Sequence, residues 1–429
     1  MTTFVLFGSF VLFLILNTPV GIALGLASIV TILYAGGLNV SYMSQSLVTA
    51  MDSFPLMAIP FFVLAGDLMG KGGISNRLIN VANVFVGRYT GGLAIVTVIV
   101  CMFFAAISGS GPATVAAIGG IMIPAMVEKG YKKNFASGLN ATAGSIGVII
   151  PPSIPMVMYG ISTGVSISTM FLAGFIPGIL IGLILIAYSF LASKKAGYKG
   201  DSKKYTAKEK LQAVSDAKWS LLVPVIILGG IYGGIFTPTE AAAVAVIYGF
   251  VIGVFVHKDL KISELPQVLA DSALTTATVM IIVGTATTFG RILTIERIPV
   301  MVAEAIAAFS SNPMVVFLLI NILLLFVGCF MDTTAAIIIL APILLPVALA
   351  IGIDPIHFGI VMVTNLAIGF ITPPLGVNLF VACGISNSSL EEVSKGVAPF
   401  FFCMLIALAL ITVFPQISLF LPRLNGYGG

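Results

Sequence analysis

Four apolar stretches of this chain are each interrupted, near the middle, by glycine, proline and small polar residues. In hydrocarbon every backbone N–H and C=O must be bonded within the protein. Irregular backbone survives at membrane depth only where protein buries it or a cavity wets it. The constraint applies because lipid is this chain's solvent. Only 8% of its 429 residues are charged and 59% are hydrophobic, against about 25% charged in soluble domains.

A spanning helix needs about 20 apolar residues. Runs long enough to cross lie near 54–69, 135–160, 168–192, 219–236, 238–256, 272–290, 358–384 and 397–421. The first run, Phe4–Leu33, is long for one span and short for two, and Asn17-Thr18-Pro19 interrupts it, so one or two crossings stay open. The N-terminus has no basic segment and no small-residue cleavage site, so this run is expected to be retained. The fold class expected is an all-α polytopic membrane protein.

Two stretches read as re-entrant hairpins with tips inside the membrane. Residues 92–128 are broken at Ser108-Gly-Ser-Gly-Pro112, and residues 313–350 near Gly328–Thr334. Each half is about 16 residues, roughly 24 Å as helix, which passes mid-bilayer without comfortably spanning it. Two further breaks fall within spans, at Gly144–Ser153 and Gly369–Asn378, where Pro151-Pro152 and Pro373-Pro374 remove amide donors.

Residues 193–218 carry eight lysines against three acids, which places this loop in the cytoplasm. Lys71, Arg77 and Arg88 before the first hairpin, and Lys129, Lys132 and Lys133 after it, set its entry on the same side. The second hairpin has no flanking lysine and enters from the other side. An inverted repeat follows. Shifting the chain by 222 residues makes ten of the 45 pairs from Ser108 to Pro152 identical, five of them Gly or Pro. A short amphipathic segment precedes each hairpin, with stripes Ile74, Leu78, Val81, Phe85 and Val302, Ala305, Ile306, Phe309. Such spacing suits a helix in the membrane interface or an ordinary connecting helix.

The expected organisation is an N-terminal scaffold region (1–53), a first repeat (54–192: arm 72–89, hairpin 92–128, broken helix 135–160) and a basic loop (193–218). Scaffold helices (219–265) and a second repeat (266–421: arm 296–310, hairpin 313–350, broken helix 357–384) complete it.

Discontinuous helices in corresponding positions of two inverted halves point to a transporter's binding site. Freed carbonyls can hold a cation, and half-helix amino ends favour an anion. The polar residues gather there: Ser108, Ser110 and Thr114 at one tip, Asp332, Thr333 and Thr334 at the other. Asn140, Thr142, Ser145 and Ser153 surround the first break, and Asn365, Thr372 and Asn378 the second. Hydroxyl, amide and carbonyl oxygens suit a hard cation and not a transition metal. Asp332 is the one carboxylate clearly at a tip, so sodium is favoured over a proton relay. The alternative role of Asp332 is a helix N-cap. Cys101, Cys329, Cys383 and Cys403 lie in apolar runs without CxxC spacing and read as packing residues. An intramembrane serine protease built on Gly109-Ser110-Gly111 would need a base, and His257 and His357 both sit near span ends.

In Ala58–Gly66, Ser108–Thr114, Ile150–Ile154, Gly234-Ile-Phe-Thr-Pro-Thr-Glu-Ala-Ala-Ala243 and Thr372–Asn378, the chain resembles the large membrane subunit of TRAP (tripartite ATP-independent periplasmic) transporters, end to end. The resemblance implies a scaffold plus an elevator transport domain. It implies sodium-driven import of organic acids of the sialic acid or C4-dicarboxylate class across the bacterial inner membrane. It also implies a small four-helix membrane subunit and a periplasmic substrate-binding protein as partners, and a chain inactive alone. A self-sufficient sodium/anion symporter is the competing expectation. Carried over onto this sequence, one sodium site involves Ser108, Gly109, Ser110, Asn140 and Gly144. A second involves Gly328, Asp332, Thr333, Gly369 and Thr372. Substrate is expected near Ser110, Thr114, Pro152, Thr334 and Pro374, with Ser145, Ser153, Asn365 and Asn378 around it. Some similar sequences have Cys-His-Pro-Pro where this one has Ile371-Thr-Pro-Pro374, which leaves the substrate open.

Overall fold

In a computed structural model of the chain, residues 1–36, 40–201, 203–298, 300–301 and 312–428 are described. The secondary structure among them is entirely helical. Seven helical stretches are long and apolar enough to cross a membrane: Phe54–Lys71, Gly111–Glu128, Ile167–Ala196, Pro238–Val256, Ile262–Ile295, Thr333–Ala350 and Leu390–Val413.

The first apolar run resolves into two helices. α1 (Thr2–Ile15) and α2 (Val20–Ala35) are separated by Asn17 at φ 60 and by Pro19, and they pack on one another. α3 (Val40–Met51), whose polar content hides it from a hydropathy reading, follows. α4 (Ala58–Lys71) continues from a short 3₁₀ turn, and α13 (Pro238–Val251) lies along it. α14 (Leu265–Ile295) packs on α2, α3 and α4.

The arm is α5 (Ile74–Val86), with Ile74, Leu78 and Ala82 against the body of the protein. Phe85, read as part of the stripe, is 46% exposed. With Leu78, Val81 and Leu221 it walls a shallow apolar recess, and the Lys210 ammonium stands over its ring. The second arm falls largely outside the described residues, since 299 and 302–311 are not among them.

The first hairpin is α6 (Gly92–Ser108) and α7 (Gly111–Glu128). The two halves run antiparallel, since Thr97 near the start of α6 meets Met126 near the end of α7. α8 (Lys133–Gly144) and α9 (Ile154–Thr163) flank the first break, and α10 (Ile167–Ala196) is a long central helix. The second hairpin is α15 (Pro313–Gly328) and α16 (Thr333–Ala350). α17 (Pro355–Gly369) and α18 (Val377–Ser386) flank the second break, and α19 (Leu390–Val413) and α20 (Gln416–Leu424) close the chain. The last apolar run is thus two helices, parted at Phe414-Pro415. Every residue from Ile356 to Gly369 is buried, so α17 lies at the protein core and not against lipid. Helix boundaries recur down the chain: α7 and α16 start and end 222 residues apart, while α9 and α18, and α10 and α19, begin 223 apart.

The lysine-rich segment is partly helical. α11 (Ala207–Asp216) starts in a capping box, with Glu209 N–H bonding the Thr206 hydroxyl at 3.2 Å and the Glu209 carboxylate accepting Thr206 N–H at 2.8 Å. α12 (Lys218–Tyr232) follows. The stretch before α11 straps the base of the first hairpin: Asp201 N–H donates to Gly87 O (2.9 Å), and Tyr198 stacks on Tyr131 at 4.2 Å. The four cysteines are free.

α8 and α19 approach through glycines. A methyl group at Gly138 would enter the backbone of Gly396, and one at Gly396 would enter Asn134 O. Overpacking of this kind costs about 1–3 kcal/mol. Gly396→Val is therefore expected to lower the unfolding midpoint of the detergent-solubilised protein. The same change at Gly120, where a methyl group meets nothing, is expected to have little effect.

Candidate functional site

Each tip is a helix end followed by a capped helix start. At the first, Gly109 takes the left-handed conformation (φ 62) that ends α6, and Ser110 Oγ caps α7 by accepting Ala113 N–H. Thr114 Oγ1 donates to Ser110 O at 2.7 Å and lies 3.0 Å from Ser108 Oγ. At the second, Asp332 Oδ1 caps α16 by accepting Thr334 N–H at 2.8 Å. Ser110 and Asp332 are thus equivalent under the 222-residue shift. The N-cap role of Asp332 and its place in a cleft coexist.

Tips and breaks pack against one another. Gly109 O accepts Ile154 N–H from the start of α9 at 3.3 Å. A methyl group at Gly147 would meet Ser110 O and Thr114 Oγ1, each at 2.5 Å, and Gly144 lies against Val115 and Gly111 O. In the other half Gly328 and Gly369 stand backbone to backbone, and Leu375 N–H donates to Cys329 O at 3.2 Å. Asn378 joins the two breaks, donating to Ala141 O (3.0 Å) and Ser145 Oγ (3.1 Å). Both diprolines are cis. The first lies in a wholly buried stretch, whereas Pro373, Pro374 and Leu375 are exposed.

A cleft of about 730 Å³ opens between the tips and the α4–α14 pair. Ser108, Gly109, Ser110, Pro112, Ala113, Ile154, Asp332 and Thr334 form one wall, and Val63, Gly66, Asp67, Thr275, Thr278 and Ile282 face them. Three half-helix starts, those of α7, α9 and α16, therefore meet one cavity. Among the described residues its lining has two carboxylates and not one Lys, Arg or His.

The predicted residues divide accordingly. Ser108, Gly109, Ser110, Asp332 and Thr334 line the cleft. Thr114, Ser145, Pro152, Ser153, Asn365, Pro374 and Asn378 are not on its lining. Of these, Ser153 caps α9 and bonds Val148 O. Asn365 donates to Asn321 on α15 at 2.9 Å. Gly144 joins the first tip, but Asn140, on α8, faces α7 beyond the tip, with its side-chain oxygen beside Gly119. The Thr372 hydroxyl bonds its own helix at Ile368 O (2.7 Å).

Several oxygen donors are left over. Asn140 Oδ1, Thr333 Oγ1, Thr364 Oγ1, Asn365 Oδ1 and Asn378 Oδ1 are buried without a hydrogen-bond partner. Buried polar atoms are nearly always paired, so such orphans mark places for an ion or water. Among the described residues no three His, Cys, Asp or Glu side chains cluster.

Asp67 is the residue that sequence reading passed over, because it stands near the end of its apolar run. Its neighbour Gly66 packs against the first tip, where a methyl group would be 3.3 Å from Ser108 Cα, and this brings Asp67 to the cleft. Neither histidine serves Ser110 as a base. His257 Nδ1 lies 3.0 Å from Gly72 O, and His357 Nδ1 lies 3.3 Å from Ser418 Oγ.

Broken helices meeting around a cleft, inside a bundle of membrane-length helices, define a polytopic membrane protein of the transporter class. The sequence model of the family described as "Tripartite ATP-independent periplasmic transporter, DctM component" matches residues 7–417, and the chain belongs to this family. It is 53% identical, over 97% of its length, to the isethionate TRAP transporter permease protein of Oleidesulfovibrio alaskensis, of which it spans 66%. It is 43% identical to the C4-dicarboxylate TRAP transporter large permease of Pseudomonas aeruginosa, covering 94% of each chain. It is 40% identical to the sialic acid TRAP transporter large permease of Vibrio cholerae, covering 96% of each. In fold it is similar to the YdaH transporter of Alcanivorax borkumensis (TM-score 0.62, 16% identity, 89% and 90% of the two chains). It is also similar to MtrF of Neisseria gonorrhoeae (TM-score 0.63, 15% identity, 90% and 86%). The protein is a transporter permease and not an enzyme.

Asn378 provides a structural check. Asn378→Leu strands a buried carbonyl and a buried hydroxyl, a loss of about 1–3 kcal/mol for each group left unsatisfied. A clearly lowered unfolding midpoint is expected for it, while Thr372→Val, which removes only a bond to its own helix, is expected to leave the midpoint nearly unchanged.

Proposed function

We propose that the chain is the permease of a sodium-coupled importer of small organic acids in the bacterial inner membrane. It receives its solute from a periplasmic binding protein and works beside a small membrane subunit. The observation that carries this is the charge of the cleft. Three helix amino ends favour an anion, yet among the described residues the lining holds two carboxylates and no cationic side chain. In a site of low dielectric an anion beside two carboxylates is unfavourable unless cations accompany it. The unpartnered oxygens Thr333 Oγ1, at the second tip, and Asn378 Oδ1, beside Gly111 at the first, supply places for them.

One sodium is assigned to Ser108, Gly109, Ser110 and Gly144, with Asn140 a turn away, and another to Gly328, Asp332, Thr333, Gly369 and Thr372. Bound sodium supplies the positive charge that the lining lacks. The tips then hold the acid group through the starts of α7 and α16, with Ser110 and Thr334 at hand. Ser145, Ser153, Asn365 and Asn378 support from behind, keeping the breaks joined. The substrates for which the relatives are named, isethionate, C4-dicarboxylates and sialic acid, share an acidic group. Alternating access follows from elevator movement of the tips and breaks against α4 and α14.

Uptake into proteoliposomes holding the permease, its small subunit and the binding protein is expected to fall at least tenfold when external sodium is replaced by potassium. Undiminished uptake under a pH gradient would make protons the driving ion, and uptake by the permease without the binding protein would make it self-sufficient. The movement has a separate check. Cysteines placed at Val63 and Ala113, on opposite cleft walls, are expected to crosslink at a rate that changes with sodium and solute; an invariant rate removes the elevator.

A further inference from the structure

The wall opposite the tips is chemically one-sided. Ser272 Oγ donates to Asp67 Oδ2 at 2.5 Å, and among the described residues no side chain or amide donates to Oδ1. Thr275 and Thr278 spend their hydroxyl protons on α14 itself, donating to Asp271 O (3.1 Å) and Leu274 O (3.0 Å). Their oxygens keep only lone pairs for the cleft. Lys71, one turn beyond Asp67, is paired with Asp271 at 3.3 Å and is not on the lining. This wall therefore offers acceptors, one of them a carboxylate, and no donor. The tip wall is its complement, with helix amino ends turned to the same space.

We propose that Asp67, Thr275 and Thr278 form a donor-requiring subsite that sets substrate class. The solute is a small monoanion, with its acid group toward the tips and a hydroxyl or ammonium toward Asp67, in preference to a diacid. This rests on the cleft being the solute site. A hydroxyl or ammonium meets three acceptors there. A second acid group brings a like charge against Asp67 and finds no donor, and like charges in a partly buried site are strongly disfavoured. An alkyl end displaces water from the half-buried Asp67 carboxylate without replacing its bonds, which weakens binding, while Thr275 and Thr278 are exposed.

The subsite is tested by sodium-dependent binding to the purified permease together with its small membrane subunit in nanodiscs, which removes the binding protein's own selectivity. The probes are 3-hydroxypropanoate, propanoate and malonate, with 2-hydroxyethanesulfonate, ethanesulfonate and 1,2-ethanedisulfonate as the sulfonate counterparts. In whichever series binds, the hydroxy acid is expected to bind at least tenfold tighter than either analogue. Asp67→Asn is expected to bring the diacid within threefold of the hydroxy acid, and Thr278→Val to narrow the preference for the hydroxyl. The wild-type series decides by itself if a variant fails to fold. A diacid bound as tightly as the hydroxy acid, or an unchanged ratio in a folded Asp67→Asn, overturns the subsite. Equal sodium-dependent binding of all three acids overturns it while leaving the cleft as the solute site. Sodium-dependent binding of none overturns both.

Discussion

A helix that stops inside a membrane protein leaves amides and carbonyls that water cannot reach, and each one left unpaired costs about 1–3 kcal/mol. In this protein the interrupted helices answer one another. The first tip gives a carbonyl to the start of α9, the second takes an amide from Leu375, and Asn378 spans from one break to the other. Ser110, Ser153 and Asp332 cap three of the restarted helices. The irregular backbone is therefore a connected unit whose members cannot be removed singly. The donors and charges that remain unused after this mutual bonding are the ones available to a solute or an ion.

The breaks were legible in the sequence because glycine and proline act locally. Ser108–Thr114, Gly328–Thr334, Pro151-Pro152 and Pro373-Pro374 each interrupt a helix, whereas lone prolines such as Pro177 and Pro342 lie within helices, and the spacing of the breaks recurs in the helix boundaries. Legibility ended where hydropathy or local pattern stopped discriminating. α3 and α11 are too polar to register as apolar runs, although Thr206-Ala-Lys-Glu209 carries the spacing of a capping box. Phe85 belongs to the α5 stripe by periodicity but faces outward, because α6 and α12 leave a recess beside it. Depth was also invisible. Asp67 is near the end of its run, and only the contact of Gly66 with Ser108, 42 positions away, brings it to the cleft. Side chains assigned to the solute split for a similar reason. Sequence shows that Asn365, Asn378 and Ser145 adjoin a break, but only packing shows that they are bonded to other helices.

Glycine has a second use here. Gly66 beside Ser108, Gly328 beside Gly369 and Gly138 beside Gly396 let main chains meet without side chains between them. Close approach of this kind is the usual means of helix association in lipid, where no hydrophobic force separates protein from solvent. It also brings carbonyls of different segments near one another. At these positions of the chain a side chain is excluded by backbone distance more than by residue chemistry.

The acceptor-only wall of α4 and α14 has a bearing on hydration. Lone pairs on Asp67, Thr275 and Thr278 that no protein hydrogen serves must be met by water whenever the cavity is vacant. An empty cleft is accordingly a wet one, and an incoming solute trades places with ordered water. Its hydroxyl or ammonium must reproduce those bonds to gain affinity, because displacing a well-held water with a group that cannot replace it weakens binding. Selectivity at this wall is thus set by competition with water as much as by contact with protein.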